Sequence, residues 1–583
     1  MTAHDLVIRG GTIVDGSGGA PYAGDVAVRD GLIVAVGQVD GQCLREVDAA
    51  GLLVTPGFVD IHTHYDGQVT WENRMVPSSA HGVTTVVMGN CGVGFAPCRA
   101  EDRPALIGLM EGVEDIPEVV MTTGLPWNWE TFPEYLDAVD ARRFDVDVAA
   151  YLPHSCLRVY VMGERGARRE AATADDLAEM RRIAAEAMRA GAMGFATSRS
   201  IFHRDKNGNP VPTKDSIEPE LAAVAAGMGE AGHGVIEALI DYEDVDAEFG
   251  ILRRVTQANG LALTFTVAQI LDNPRGWQRA LELIGQANRE GVNVKGQVIG
   301  RPTGLLLGLD LSFNPFTLNP SYQAIAHLPL AERVAEMRKP DVRARIIADK
   351  PVGAKLKLLE YIQAFQRIYA LGDPPNYAQP PEACLAAIAE SKGVSPLEVA
   401  YDLLLERDGQ AMLFVAVGNY ADGNLDAVTR LLTDEHTIMG LGDGGAHYGV
   451  ICDAGYPTFM LTWWGRDKDG LRLEVPALIH GLTQAPAQFI GFHDRGLLAP
   501  GYKADINLID FERLHLHAPH PVCDLPSGGR RLIQDADGYV ATFVSGEMTY
   551  SQGQPTDALP GRLVRGPQAL RGMAERALQA VAV

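Results

Sequence analysis

GFVDIHTHYDG, residues 57–67, sets two histidines one residue apart directly after an apolar run that reads as a buried strand. In an extended chain, residues i and i+2 project to the same side, so His62 and His64 can aim both imidazoles at one point just past the strand end. Such a pair suits a metal ion. Similar apolar runs follow: GVTTVVMG, DVAAYLP, AMGFATS, GVIEALI, LALTFTV, VNVKGQV, AMLFVAVG and TIMGLG. Segments with helical spacing separate them. One is clear: Thr173 can cap a helix bearing Leu177, Met180, Ala184, Ala187 and Met188, and Gly191 can end it before AMGFATS. Strands alternating with helices imply parallel pairing and right-handed crossovers, and eight such units close into a (β/α)8 TIM-like barrel of the α/β class. With GFVDIH the runs number nine, so AMLFVAVG (411–418) is assigned to an insertion.

The flanks read differently. DLVIRGGTIVDG and GDVAVRDGLIVAVG alternate apolar and polar residues, and Asp30-Gly31 is a strong hairpin signal. The same texture returns in GYKADINLID (501–510) and YVATFVSGEMTYSQG (539–553). Each half has too few strands to bury a face alone. The expected organisation is therefore a composite β-sandwich from 1–56 plus 491–583, bracketing a barrel over 57–490. The Pro-rich segment at about 300–410 is too long for a loop and is expected to form a lid or subdomain near the active face.

A hydrophobic fraction of 46% with 21% charged residues describes a chain that folds. The net charge of -24, with no dense Lys/Arg block, excludes the electrostatic footprint of a nucleic-acid binder. No apolar run approaches the roughly 18 residues of a membrane span, and the start MTAHDLVIRGG has no charged-then-apolar leader pattern. Neither nucleic acid nor membrane is an expected partner, and a cytoplasmic location is the default. Seven scattered cysteines form no CxxC pair and do not suggest a disulfide framework.

The His62/His64 pair sits at the C-terminal end of the first strand, where barrel enzymes keep their chemistry. The eighth strand ends in Asp443 followed by two glycines, and the second runs into Cys91. In a closed barrel the ends of strands 1, 2 and 8 are adjacent, so an acid, a thiol and two imidazoles can share one mouth. An aspartate there can complete a metal site or carry a proton.

GFVDIHTHYDG, GVTTVVMGNCG, YLPHSCLRVYVMGERGARREAAT, LGDGG and the closing GLLAPGYKADINLIDF resemble the amidohydrolase superfamily, in particular its N-acyl-D-amino-acid deacylase (D-aminoacylase-like) branch. The resemblance spans nearly the whole chain. It implies a metal-bearing barrel with a split sandwich that hydrolyses the amide of a small N-acyl compound, with zinc usual. It implies His62 and His64 as the first ligand pair, Cys91 as the cysteine ligand and Asp443 as the acid; with Asp443 these are four possible ligands, and three of them plus water would make a catalytic site with an open position. The branch places a histidine on each of strands 5 and 6, whereas GVIEALIDYED and LALTFTVAQ have none. One zinc ion is therefore expected, and a second site is in doubt.

In this reading Asp443 takes a proton from water and returns it to the leaving nitrogen. His154, after strand 3, is the candidate to meet the developing oxyanion. Arg199 and Arg301, both after candidate strands, are the candidates to clamp a substrate carboxylate. Glu237 could replace a lost ligand, and His203 and His447 are alternative ligands or substrate contacts. Two other readings remain: a barrel that has lost catalysis and kept the fold for binding or assembly, and a cyclic amidase or lactonase. The latter usually carries a carbamylated lysine on strand 4, where AMGFATS has none. Self-association as a homo-oligomer is left open.

Overall fold

The computed structural model describes residues 4–353 and 356–570. Eight parallel strands build the barrel: β1 Phe58–Asp60, β2 Val83–Met88, β3 Asp147–Ala150 continued by Leu152–Pro153, β4 Gly194–Ser198, β5 Val235–Leu239, β6 Ala262–Thr266, β7 Val294–Val298 and β8 Thr437–Met439. Each pairs in parallel with its sequence neighbour from β1 to β8. At the seam the Asp443 N–H donates to His62 O (3.1 Å) and the His64 N–H to Gly444 O (2.7 Å), joining the last strand to the first. The barrel strands are almost entirely buried, as expected for strands covered on both faces.

Local signals explain how the units form. The helix Ala174–Ala190 begins in a capping box between Thr173 and Asp176 and ends at Gly191, whose φ of 114° suits glycine. It buries Met180, Ala184, Ala187 and Met188, the apolar stripe that the spacing predicts, and hands the chain to β4. In the flanking module, Tyr22–Arg29 and Leu32–Gly37 pair antiparallel across Asp30-Gly31, both with positive φ as a two-residue hairpin requires.

The two ends of the chain share one nine-stranded sheet, the core of the sandwich module. Ile506–Ile509, from the second end, pairs with Leu53–Pro56 from the first. Leu6, Ile8, Val26, Val54, Leu508 and Phe543 form its core. Residues 571–583 of the expected module lie outside the described residues. One part of it departs from the sandwich: the hairpin His520–Leu525 with Gly529–Ile533 reaches the barrel mouth. There the Leu532 N–H donates to Tyr448 O (2.8 Å), and Arg531 bonds Gln68 Oε1 (3.1 Å) beyond β1.

The segment between β7 and β8 has its own core of Leu307, Phe316, Val334, Met337, Ile346, Tyr401 and Leu413. Its small sheet pairs Leu413–Gly418 with Thr303–Leu307 and Ile368–Ala370, so the surplus apolar run lies outside the barrel. The insertion thus extends somewhat past 410, and residues 354–355 within it lie outside the described residues. Among the described residues, no helix is long and apolar enough to cross a membrane.

Candidate metal centre

Strand ends bring the chemistry together. His62 and His64 follow β1, Cys91 follows β2 and Asp443 follows β8. Cys91 Sγ lies 3.5 Å from His62 Nε2, and Asp443 Oδ1 lies 3.4 Å from His62 Nε2 and 3.5 Å from His64 Nε2. The donor atoms of His62, His64 and Cys91 all fall within 4.8 Å of one another. A tetrahedral zinc ion with bonds of about 2.0–2.3 Å holds its donors about 3.3–3.8 Å apart, and the Cys91–His62 separation of 3.5 Å fits such an ion.

The backbone is bent to achieve this. Cys91 (φ 55°), Leu441 (φ 67°), Asp443 (φ 47°) and His447 (φ 55°) are all left-handed, a conformation that costs a non-glycine residue about 1–3 kcal/mol. Gly445 (φ 87°) packs so closely that a Cβ would stand 2.8 Å from the carbonyl carbon of His64. A side chain there would push β8 away from β1.

A further shell of polar groups surrounds the donors. Gln297 Oε1 on β7 lies 2.8 Å from His62 Nδ1, an arrangement that leaves Nε2 for the centre. Glu237 Oε2 on β5 accepts from the Cys91 N–H (2.9 Å), and its Oε1 lies 3.7 Å from His62 Nδ1. Glu114 closes the helix Arg103–Glu114 after β2; its Oε1 lies 3.5 Å from His64 Nδ1 and its Oε2 3.5 Å from His447 Nε2. Asp60 Oδ1 accepts from the His62 N–H (3.1 Å).

Burial raises Asp60 to about 7 despite the pull of His62, and burial raises Glu237 to about 7 with Asp443 adding to it. Burial, then the charges of Asp443 and Asp66, pushes Glu114 well above the usual carboxylate range, and burial with Glu237 does the same to the Cys91 thiol. Asp443 goes the other way. Burial would raise it, but the His64 hydrogen bond and the imidazoles of His62 and His447 hold it well below its ordinary value. Burial lowers His64, and lowers His447 to about 4. Among the described residues no lysine or arginine pairs with Asp60, Glu114, Glu237 or Asp443, and Asp60 Oδ2, His64 Nδ1, Glu237 Oε1 and both Glu114 oxygens have no hydrogen-bond partner. A buried acid cluster without a fixed cation is costly, and a divalent ion is the group that would relieve it.

A model of the amidohydrolase family matches residues 45–556. The chain belongs to the amidohydrolase family. It is 39% identical over 194 residues to a D-aminoacylase of Alcaligenes xylosoxydans xylosoxydans, a match covering 33% of this chain and 37% of that enzyme. An N-acyl-D-glutamate deacylase of the same organism is 24% identical over 98% of each chain. Among solved structures, an N-acyl-D-glutamate deacylase from Bordetella bronchiseptica, complexed with zinc and a phosphonate inhibitor, superposes with a TM-score of 0.63 at 23% identity. That match covers 97% of this chain and 100% of that one and speaks for a shared fold.

Not every candidate of this amidohydrolase reaches the centre. His154 is fully buried, with Nδ1 2.8 Å from Thr197 Oγ1 and Nε2 2.8 Å from Glu220 Oε1, so neither nitrogen is left for an oxyanion. It begins the helix His154–Met162 and points into the helix layer. Arg199 is likewise consumed: its guanidinium forms a two-pronged pair with Glu248 and donates to Ser216 O. Both sit after the right strands, but sequence position does not say which way a side chain turns. Arg301 is different. It stacks 4.0 Å from the Tyr377 ring centroid and pairs with Asp453, yet its Nε and Nη1 have no partner. His203 is lowered to about 3 by burial and by His447 and His64, and its Nδ1 has no partner. His447 stands at the open edge, its side chain 20% exposed against 1% for His64.

Glu114 and Gln297 carry no signal in the sequence. Neither belongs to a spacing motif, and Glu114 in GLMEGVED resembles any solvated helix acid. The hairpin over the mouth was also missed, because its strands read as more of the terminal module.

Proposed function

We propose that this amidohydrolase is a zinc-dependent deacylase that cleaves the linear amide of an N-acyl-D-amino acid; His62, His64 and Cys91 would hold one ion and leave a position for water beside Asp443. The observation that carries this is the convergence of two imidazoles and a thiol whose donor atoms lie within 4.8 Å of one another, with the Asp443 carboxylate 3.4–3.5 Å from both imidazoles, inside a cluster of buried acids. When bound, zinc supplies Lewis acidity and makes water a competent nucleophile near neutral pH. Asp443, 22% exposed where its neighbours are buried, takes the proton of the attacking water. It then delivers that proton to the amide nitrogen as the C–N bond breaks, giving a carboxylic acid and a free amine. Gln297 holds the His62 ring, and Glu237 fixes the Cys91 backbone. Arg301, with two unpaired nitrogens, is the cation offered to the substrate's carboxylate.

Our reading of a single ion is supported by what replaces the missing histidines. β5 offers a carboxylate, Glu237, one oxygen of which accepts from the Cys91 N–H, in place of an imidazole, and β6 offers Thr264 and Thr266, whose hydroxyls are not usual zinc ligands. The test is elemental analysis of protein purified without chelator, alongside turnover of N-acetyl-D-amino acids, their L enantiomers and a hydantoin. About one zinc per chain and hydrolysis of the D compounds are expected. A protein with neither metal nor turnover would be a binding barrel, and hydantoin opening without deacylation would move the activity to cyclic amides.

A further inference from the structure

Glu114 sits between two imidazoles with one carboxylate oxygen on each. Oε1 faces His64 Nδ1 and Oε2 faces His447 Nε2, both at 3.5 Å. The His447 N–H also donates to the Glu114 carbonyl, so backbone and side chain tie the same two residues. Glu114 is 1% exposed, and neither carboxylate oxygen has a hydrogen-bond partner. A buried acid left in that condition is expensive in a purely structural role. It comes from the end of the helix Arg103–Glu114 rather than from a barrel strand, and the left-handed Asp115 (φ 52°) turns the chain immediately after it.

We infer that Glu114 is a positioning residue, a carboxyl clip that fixes the His64 ring and ties it to His447 at the open edge of the centre. This rests on the reading of His64 as a metal ligand. A ligating imidazole that gives its other N–H to a carboxylate is held in one tautomer and one orientation, and becomes more basic toward the metal. Here the same carboxylate also holds His447, which is exposed enough to meet a substrate. One residue then sets both the grip on the ion and the placement of an imidazole beside the scissile amide.

The experiment compares wild type, Glu114→Gln, Glu114→Asp and, as a control on the same helix, Glu111→Gln, whose side chain pairs with Lys206 at the surface. Zinc affinity is measured by competition with a chromophoric chelator, and the visible spectrum of the cobalt-loaded proteins reports ligand geometry. Glu114→Gln should lose about 10–100-fold in zinc affinity, the usual effect of an outer partner. It should also shift the cobalt spectrum and, when saturated with zinc, lower kcat more than it raises KM. Glu114→Asp, which keeps the carboxyl group, should regain part of the affinity, and Glu111→Gln should match wild type. The metal-free Gln variant should melt with metal-free wild type, separating loss of metal from loss of fold. Wild type that takes up no divalent ion overturns the centre itself. Wild type that binds zinc while Glu114→Gln binds it equally well overturns the role of Glu114 alone.

Discussion

Two buried clusters of histidine and carboxylate lie in this barrel, and they are finished to different degrees. Around His154 every partner is supplied: Thr197 and Glu220 take the two ring nitrogens, and Arg158 takes the other oxygen of Glu220. Burial would raise Glu220, but His154 and Arg158 bring it down to about 2. Around His62 and His64 the accounts are open. Glu114, Glu237 and Asp60 keep unpartnered oxygens and are raised, and among the described residues no arginine or lysine neutralises them. The closed cluster is a strut, and the open one is built to receive a cation and a substrate. Both are buried sets of histidine and carboxylate, and what separates them is the fixed cation Arg158 and the completeness of hydrogen bonding.

The sharpest break in that comparison is Asp443→Asn. It should keep its shape beside His62 and His64 yet lower kcat about a thousandfold, inside the 10²–10⁴ range of general acid–base catalysis. Steady-state kinetics on the zinc-loaded variant decides it, and a loss of less than about tenfold would remove Asp443 as the proton carrier. Next is Cys91→Ala, expected to weaken zinc by more than the roughly 10–100-fold typical of an outer partner. Chelator competition reads this directly, and unchanged affinity would make the thiol a packing group.

Glu220→Gln probes the closed cluster. It should cost about 3 kcal/mol of stability by breaking a buried pair, while turnover per folded molecule stays near wild type. The sign with pH follows from the depressed carboxyl. Its contribution is fully present above the unfolded value near 4.5 and is lost as pH falls toward about 2, so the melting-temperature gap between wild type and variant should narrow below about pH 4.5. A gap that widens there would mean that Glu220 is not held as an anion. The smallest effect is on the open cluster's stability: removing the ion with chelator should lower the melting temperature by several degrees, and adding zinc should restore it. The Glu220→Gln variant should show the same metal-dependent shift.

Much of this was legible in the chain. The HxH spacing, the Cys-Gly after the second apolar run and the DGG after the last placed their residues at strand ends, and parallel barrel topology makes those ends neighbours whatever the details of packing. Thr173 and Gly191 marked their helix for local reasons, a cap oxygen and a residue free to take positive φ. His154 and Arg199 also follow strands, but each has an acid from a neighbouring helix region within reach, Glu220 for one and Glu248 for the other, and turned away from the mouth. No periodicity announces such a partner.

What the sequence by itself determined was the order of the elements and the four residues that the barrel's closure brings to one point, because a strand's alternation and a turn's φ are local properties. Only the tertiary structure decided which ionisable groups end up satisfied. That depends on side chains far apart in the chain, such as Gln297 on His62 and Glu114 between His64 and His447, whose partnerships exist only once the interior has excluded water.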